Sequence, residues 1–380
     1  MTLPSESSKA PHAHDAFTAI ESLAGLYHPH AIEVQDFAHY ALMLDVRSRG
    51  EYEDDHIPGA VRLDPAEWVA RSLTTGSGAI PTPPLEAREP SRDDLPPALA
   101  AAVAGVKVNQ AILVYCGQGG MISNPVAQAL RWHGWSADVL PGGWINYRRW
   151  VRAGLEVLPR LVQFRVIACT LGSETARVLR ALGSAGHQVL DLEGLAAARR
   201  FDLSRSVTTS GPVQPAQARF ESLLLRSLRG FDPALPVWIG DVGASLGAID
   251  LPGALLDALA IAPVAALEAD AAARARAWVQ DEPQCADRKK LIEAVARHAD
   301  TESFAHVERW RASNQTSSEP TEKLLSGLLE DVLDASHRQQ RKDRSARQHV
   351  LPPLRTTSLS PAALTRAVRR WMPLPRTRTT

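Results

Sequence analysis

The chain has 380 residues, 45% of them apolar and 22% charged, more than one small module needs and ordinary for a soluble two-domain protein with a real core. Lysine plus arginine and aspartate plus glutamate number 42 each, so net charge alone gives no reason to expect a nucleic-acid or membrane partner. Cys116, Cys169 and Cys285 are far apart and make no C-x-x-C pair, which disfavours a disulfide framework or zinc ribbon and points to a reducing compartment, the cytoplasm.

Residues 1–28 are rich in Ser, Pro, Ala and His and read as a mobile leader without the apolar stretch of a secretory signal. The pairs His12/His14 and His28/His30 have no Cys or carboxylate set to complete a site, so no metal is expected. From Ala41 the pattern sharpens. Ala41–Val46 is a short apolar run, followed by Arg47, Glu51–Tyr52 and the His56–Val61 turn, and runs bounded in this way by Pro and Gly read as parallel strands. A long Pro- and Ser-rich loop follows, from Arg71 to Pro97, then a helix over Ala98–Val106 and a strand over Ala111–Tyr115. Asn124 followed by Pro125 reads as the cap and first turn of a helix reaching His133. Ala137–Leu140 is a strand closed by a Pro141–Trp144 turn.

A second strand–helix–strand pattern begins at Leu161: a strand over Phe164–Cys169, a helix over Ser173–Leu182 and a strand over His187–Leu192. Pro236–Asp241 and Pro263–Leu267 read as later strands, and Ala216–Leu228, Ala271–Val279 and Arg288–His298 as helices. The longest uncharged apolar run, Ala258–Leu267, is far short of a membrane span, so no membrane partner is expected. Leu324, Leu325, Leu328, Leu329, Val332 and Leu333 recur at three- and four-residue spacing, the stripe of a helix packed into a core.

The last 43 residues carry eleven Arg or Lys and one acid, Asp343, so this segment is +10 and the rest of the chain −10. Ser360–Pro361 opens a basic helix reaching Trp371, with Leu364, Val368 and Trp371 on one side. The segment 337–380 is expected either to be an RNA-binding arm, with Arg338, Arg341, Lys342, Arg344, Arg366, Arg369 and Arg370 as candidate contacts, or to fold back on the acidic body.

Cys116 stands where a strand ends and a helix is about to begin, the side of an α/β sheet on which ligands bind. Gly117, Gly119 and Gly120, with Gln118 among them, let successive backbone N–H groups turn toward one point. Such an anion-holding loop beside a helix N-terminus favours thiolate over thiol, which makes Cys116 the candidate nucleophile.

Asp45–Arg47, Glu51–Tyr52, His56–Ala60, the cysteine loop and Gly142–Trp144 together resemble a rhodanese domain, in which the loop cysteine passes sulfur as a persulfide. The resemblance extends further. Ile112–Met121, Trp135, Pro141–Val151, Val189–Leu195, Gln214–Gln217 with Phe220–Glu221, and Pro236–Trp238 look, in that order, like blocks of the bacterial tRNA 2-selenouridine synthase family. This resemblance implies a rhodanese-like α/β domain (29–159) followed by a P-loop NTPase-like α/β domain (160–336), flanked by flexible tails. It implies action on wobble 2-thiouridine of tRNA, geranylation from geranyl diphosphate and exchange of sulfur for selenium from selenophosphate. The cofactors implied are none tightly bound, and the partners are tRNA and a selenium- or sulfur-donor protein.

The sequence departs from this family at its polar sites. Gln118 and Ile122 stand where the family has arginines that would hold an anionic donor. The P-loop pattern falls on 168–175, where Thr170, Gly172, Ser173, Glu174 and Thr175 form a degenerate loop: only Thr175 fits, and Glu174 replaces the lysine. A unit charge about 4 Å from another is worth roughly 4 kcal/mol at an effective dielectric of 20, so this sign reversal opposes ordinary phosphate binding. Cys169 reads as a small buried apolar residue. Two alternatives to the synthase therefore stand: a simple sulfurtransferase using a Cys116 persulfide, and a non-catalytic tRNA-binding or regulatory relative.

Overall fold

The apolar runs become strands of parallel sheets, and the runs over Ala111–Tyr115 and Val237–Gly240 are buried on both faces, as parallel strands between helices are. The computed structural model describes residues 34–64, 66, 95–117, 120–169, 174–198, 213–281, 287–296, 304–314, 320–334 and 349–372. The 1–28 leader, the 71–94 part of the long loop, Cys285 and Arg338–Arg344 lie outside the described residues. The chain divides into two compact units, 1–155 with 221–226, and 156–220 with 227–380.

In the first unit β1 (Tyr40–Asp45), β2 (Val61–Arg62), β3 (Ala111–Tyr115) and β4 (Ser136–Val139) form one parallel sheet in the order β2-β1-β3-β4. The chain leaves β1 on one flank for β2 and returns to place β3 on the other. Strand order therefore reverses between β1 and β3, where α/β sheets open a binding crevice at the strands' carboxyl ends. Helices α1 (Arg49–Asp54), α2 (Pro97–Val103), α3 (Ser123–Trp132) and α4 (Gly143–Val157) complete the unit. Leu44, Ile112 and Val114 of the sheet share a core with Leu99, Val103, Val126 and Leu130 of the helices. Helix α1 is fixed at its start by a reciprocal cap: the Glu51 N–H donates to Ser48 Oγ while the Ser48 N–H donates to the Glu51 carboxylate.

Two readings need correction here. Helix α3 opens at Ser123, with Ile122 at its N-cap and no side-chain cap. Asn124 is not that cap, because its N–H already donates to Gly120 O at 2.9 Å and draws the residue into the first turn. The turn expected at Pro141–Trp144 is the entrance to α4, whose buried residues Gly143, Tyr147, Val151 and Leu155 repeat every four positions.

In the second unit β5 (Phe164–Ala168), β6 (Gln188–Leu190), β7 (Val237–Gly240), β10 (Val264–Glu268) and β11 (Leu354–Arg355) make a parallel sheet in the order β11-β10-β5-β7-β6. A two-stranded antiparallel hairpin, β8 (Ser245–Leu246) with β9 (Ile249–Asp250), stands apart from it. The helices are α5 (Glu174–Ser184), α6 (Leu192–Leu195), α7 (Gln217–Arg229), α8 (Gly253–Ile261), α9 (Ala271–Asp281), α10 (Arg288–Ala296), α11 (Phe304–Asn314), α12 (Thr321–Leu328) and α13 (Pro361–Trp371). The leucine stripe of α12 continues through a π-helical turn, Leu329–Leu333, and packs with Trp278, Leu291, Val295 and Val307.

Residues 349–372 fold back on the second unit, one of the two expectations for the basic segment. Leu354 of β11 and Leu364, Ala367 and Val368 of α13 are buried in one core with Ile167, Val178, Leu182 and Trp238. The cause is the apolar side of the basic helix: burying a Leu or Val side chain is worth about 1.5–3 kcal/mol, and α13 offers several in register. Trp371 rests 5.1 Å from the Trp238 ring and donates its indole N–H to Pro352 O at 2.9 Å. Among the described residues no helix is long and apolar enough to cross a membrane.

Candidate functional site

Strand β3 ends at Tyr115 and delivers Cys116 to the carboxyl edge of the first sheet, beside the reversal of strand order. The side chain is 4% exposed. Ser123 Oγ, itself buried at the first residue of α3, donates to Cys116 Sγ at 3.2 Å. Cys116 O accepts from Trp144 N at 2.9 Å. That contact demands a glycine at 143: its φ is +55°, and a Cβ there would lie 2.5 Å from Cys116 O. Gly120, at φ +77°, has the Asn124 side-chain amide where a Cβ would go. Gly117 is half-buried, while Gln118 and Gly119 lie outside the described residues.

The other rhodanese-like residues form the frame of this loop. Arg47, 4% exposed, grips Asp45 through Nε at 2.9 Å and Nη2 at 2.6 Å, and donates to Asp55 O at 2.7 Å. Its guanidinium lies 3.7 Å from the centre of the Trp144 ring, a cation–π contact made where water is excluded. Burial works against the Arg47 charge, and the Asp45 bond and charge outweigh it, holding the group above its ordinary range. Tyr115 donates no charge here: burial, with Asp45 beside it, pushes its hydroxyl far above the usual tyrosine value. That hydroxyl accepts from Ile57 N at 3.1 Å and ties the His56–Ala60 turn to the end of β3. Ser48 hydrogen bonds hold the Glu51 carboxylate below its usual range, with Arg47 adding to the effect.

Ile122 occupies the second position at which a guanidinium is expected, and it packs partly buried against the first core. Ser123 went unnoticed in the sequence because a serine at a helix start reads as a turn residue. Its signal was a hydroxyl seven positions after the cysteine, at the start of the following helix.

In the second unit the sequence places the degenerate phosphate-loop pattern after β5. Thr170, Gly172 and Ser173 lie outside the described residues, whereas Glu174 and Thr175 open α5 and are buried. Thr175 packs on Gly240 at the end of β7, where a Cβ would meet its Cγ2 at 2.4 Å. Glu174, 3% exposed, lies 3.8 Å from Arg274 Nη1 of α9. Arg274 is 5% exposed and also holds Asp334 through Nη1 at 2.9 Å and Nη2 at 2.5 Å. Burial opposes the Arg274 charge, but the Asp334 bond and the Glu174, Asp334 and Glu330 charges prevail and raise its proton affinity. The buried charge of Glu174 is therefore answered from within the domain. Arg274 was missed in the sequence because nothing in residue spacing pairs it with Glu174, 100 positions earlier.

Cys169 is 4% exposed and sits in the core with Ile167 and Trp238, as a small apolar residue would. Arg366, Arg369 and Arg370 are exposed on α13, and two of them, Arg366 and Arg370, line a cavity of the second unit. Among the described residues no group of three or more His, Cys, Asp or Glu is arranged to hold a metal ion.

Comparison with known proteins matches both units to family patterns. The rhodanese-like domain matches residues 31–149, and the tRNA 2-selenouridine synthase AAA domain matches residues 162–351, half of the chain. The chain belongs to the tRNA 2-selenouridine synthase family. It is similar to the tRNA 2-selenouridine synthase of Cronobacter sakazakii, 33% identical over 159 residues and 40% of each chain. The proteins of that name from Marinobacter nauticus and Sulfurovum sp. are 31% identical over 157 residues, 41% of each chain, and 26% identical over 242 residues, 61% of each chain. The matched part thus spans two fifths to three fifths of these relatives. Membership of the tRNA 2-selenouridine synthase family agrees with a rhodanese-like α/β domain followed by a P-loop-like one.

Proposed function

We propose that this protein is a cytoplasmic tRNA 2-selenouridine synthase-like transferase that acts on wobble 2-thiouridine of tRNA through the sulfur of Cys116. Selenophosphate and geranyl diphosphate enter as substrates, no cofactor is tightly bound, and a selenium- or sulfur-donor protein is the partner beside tRNA. The observation that carries this reading is the Ser123 hydroxyl donating to Cys116 Sγ at 3.2 Å, at the end of β3, in a chain with both family domains. The hydrogen bond fixes the position of the sulfur at the carboxyl end of the sheet, where a ligand would meet it. The frame of Asp45, Arg47 and Trp144 keeps the loop backbone from yielding when the sulfur is loaded.

A second reading has its own support. Glu174 and Arg274 are buried together, and Ile122 packs inward, so two expected anion contacts are absent. These favour a relative that binds tRNA without modifying it. A simple Cys116 sulfurtransferase with another acceptor is the third.

Mass spectrometry of tRNA nucleosides separates them, after incubation of the full chain with 2-thiouridine tRNA, geranyl diphosphate and selenophosphate. Geranylated or selenated nucleoside, lost in Cys116→Ser, is the expected result. No product with tRNA bound would leave the second reading. No product and no tRNA binding, with sulfur still transferred from thiosulfate to cyanide, would leave the third.

A further inference from the structure

The second unit contains a cavity of about 890 Å³ at the carboxyl ends of β10 and β11. Its lining mixes four carboxylates, Glu268, Asp270, Glu330 and Asp334, with the guanidiniums of Arg274, Arg355, Arg366 and Arg370. Half of these charges are already engaged in ion pairs. Arg355 Nε holds Glu268 at 2.7 Å, and Arg274 holds Asp334 while lying near Glu174. Glu330 adds its charge to the surroundings of Arg274.

Four further features mark the lining. Arg366 and Arg370 stand four residues apart on α13, hence on one face, and neither has a carboxylate partner among the described residues. Thr357 brings a hydroxyl to the same lining. Arg274, although 5% exposed, has an Nε with no hydrogen-bond partner among the described residues, a buried donor of the kind that a bound acceptor satisfies. The π-helical turn Leu329–Leu333 carries Glu330 into the lining and precedes Asp334; such turns interrupt good helical hydrogen bonding and recur at functional sites.

Paired guanidiniums beside a hydroxyl suit the oxygens of a phosphate group. A phosphate ion alone is far too small for this space, which lies in the range of about 300–1,000 Å³ that encloses larger ligands. The carboxylates of Asp270 and Glu330 can only accept hydrogen bonds when ionised, so they suit the N–H edge of a base. We propose that this cavity is a nucleotide site: Arg366 and Arg370 hold the phosphate, and Asp270 and Glu330 accept from N–H groups of the base. The phosphate is thereby held by α13 and not at the altered loop, where Glu174 would repel it. That the nucleotide belongs to tRNA rests on the function proposed above; the site itself does not.

Titration calorimetry of the full chain tests it, with UMP, GMP, inorganic phosphate, pyrophosphate and a short single-stranded RNA as probes. A nucleotide should bind at least tenfold more tightly than inorganic phosphate. Arg366→Gln with Arg370→Gln should weaken it tenfold or more without changing the thermal melt, since both side chains are exposed. Asp270→Asn should change the ratio of UMP to GMP affinity. RNA that competes with the free nucleotide, with the same dependence on the two arginines, makes the source a tRNA nucleotide; binding of free nucleotide without such competition makes it a soluble one. Absence of nucleotide binding, equal binding of inorganic phosphate, or affinity unchanged in the double variant overturns the site. Wobble modification measured in parallel keeps the two ideas apart. Modification without nucleotide binding removes this site and leaves the function, and the reverse result removes the function and leaves the site.

Discussion

The Ser123 hydroxyl donates to Cys116 Sγ at 3.2 Å, so the first residue of α3 reaches back across the loop to the cysteine sulfur. Both groups are buried, at 1% and 4% exposed, and water cannot replace the donor when it is removed. A typical hydrogen bond is worth about 0.5–1.5 kcal/mol, so Ser123→Ala should change the rate of Cys116 alkylation by iodoacetamide at fixed pH roughly severalfold. The thermal melt should move little. Unchanged alkylation would remove Ser123 from any role in the sulfur's chemistry.

Gly143 serves the same loop through its backbone. At φ +55°, with Cys116 O where a Cβ would go, Gly143→Ala both strains the chain and pushes the cysteine carbonyl away from Trp144 N. The expected cost is about 2 kcal/mol, roughly 5 °C in Tm, together with loss of sulfur transfer. A melt indistinguishable from wild type would show that the loop relaxes freely.

The pairing of Glu174 and Arg274 predicts a particular pattern of stability. Arg274→Met leaves two acids facing a buried space and should cost about 3–5 kcal/mol in urea unfolding. Adding Glu174→Gln should recover part of that loss, the signature of a coupled pair. If the two effects simply add, the contact at 3.8 Å contributes nothing.

His187 ties the approach to β6 to the end of α13, with Nε2 3.0 Å from Met372 O. Burial lowers its proton affinity below the ordinary value of 6.5; the Met372 carbonyl opposes this and the Arg165 charge adds to it. The unfolded chain then binds the proton more readily than the folded one. Stability is full above pH 6.5 and falls as pH drops through the depressed value. The urea midpoint should decline between pH 7.5 and 5.0, and His187→Gln should flatten that decline.

How much of this could be read from the chain depends on where the information lies. Strands β3 and β7 are continuous apolar runs that read directly because both faces are buried, and β1, β5 and β10 read from apolar runs that are only partly covered. Helix α4 carried its four-residue repeat openly, but the glycines at its entrance suggested a turn and hid what followed. Strand β11 is two residues long beside Pro352 and Pro353, and only its partner β10 makes it a strand. Helix α13 was legible as a helix with one apolar side, while what that side met was not. The site shows the same division. Cys116 announces itself through its glycines, yet Ser123 and Arg274 matter by proximity, which no spacing rule for a catalytic motif contains.

The late arrival of β11 has a consequence for how the protein is made. Residues 269–353 must be synthesised after β10 before Leu354 and Arg355 can pair with Leu267 and Glu268. At usual translation speeds that is on the order of ten seconds. Throughout it β10 presents an open edge of backbone N–H and C=O groups flanked by Val264, Ala265 and Ala266, an invitation to pair with another nascent chain. Ribosomes stalled in this interval should thus release products that aggregate, and chaperone demand should peak before the basic helix emerges.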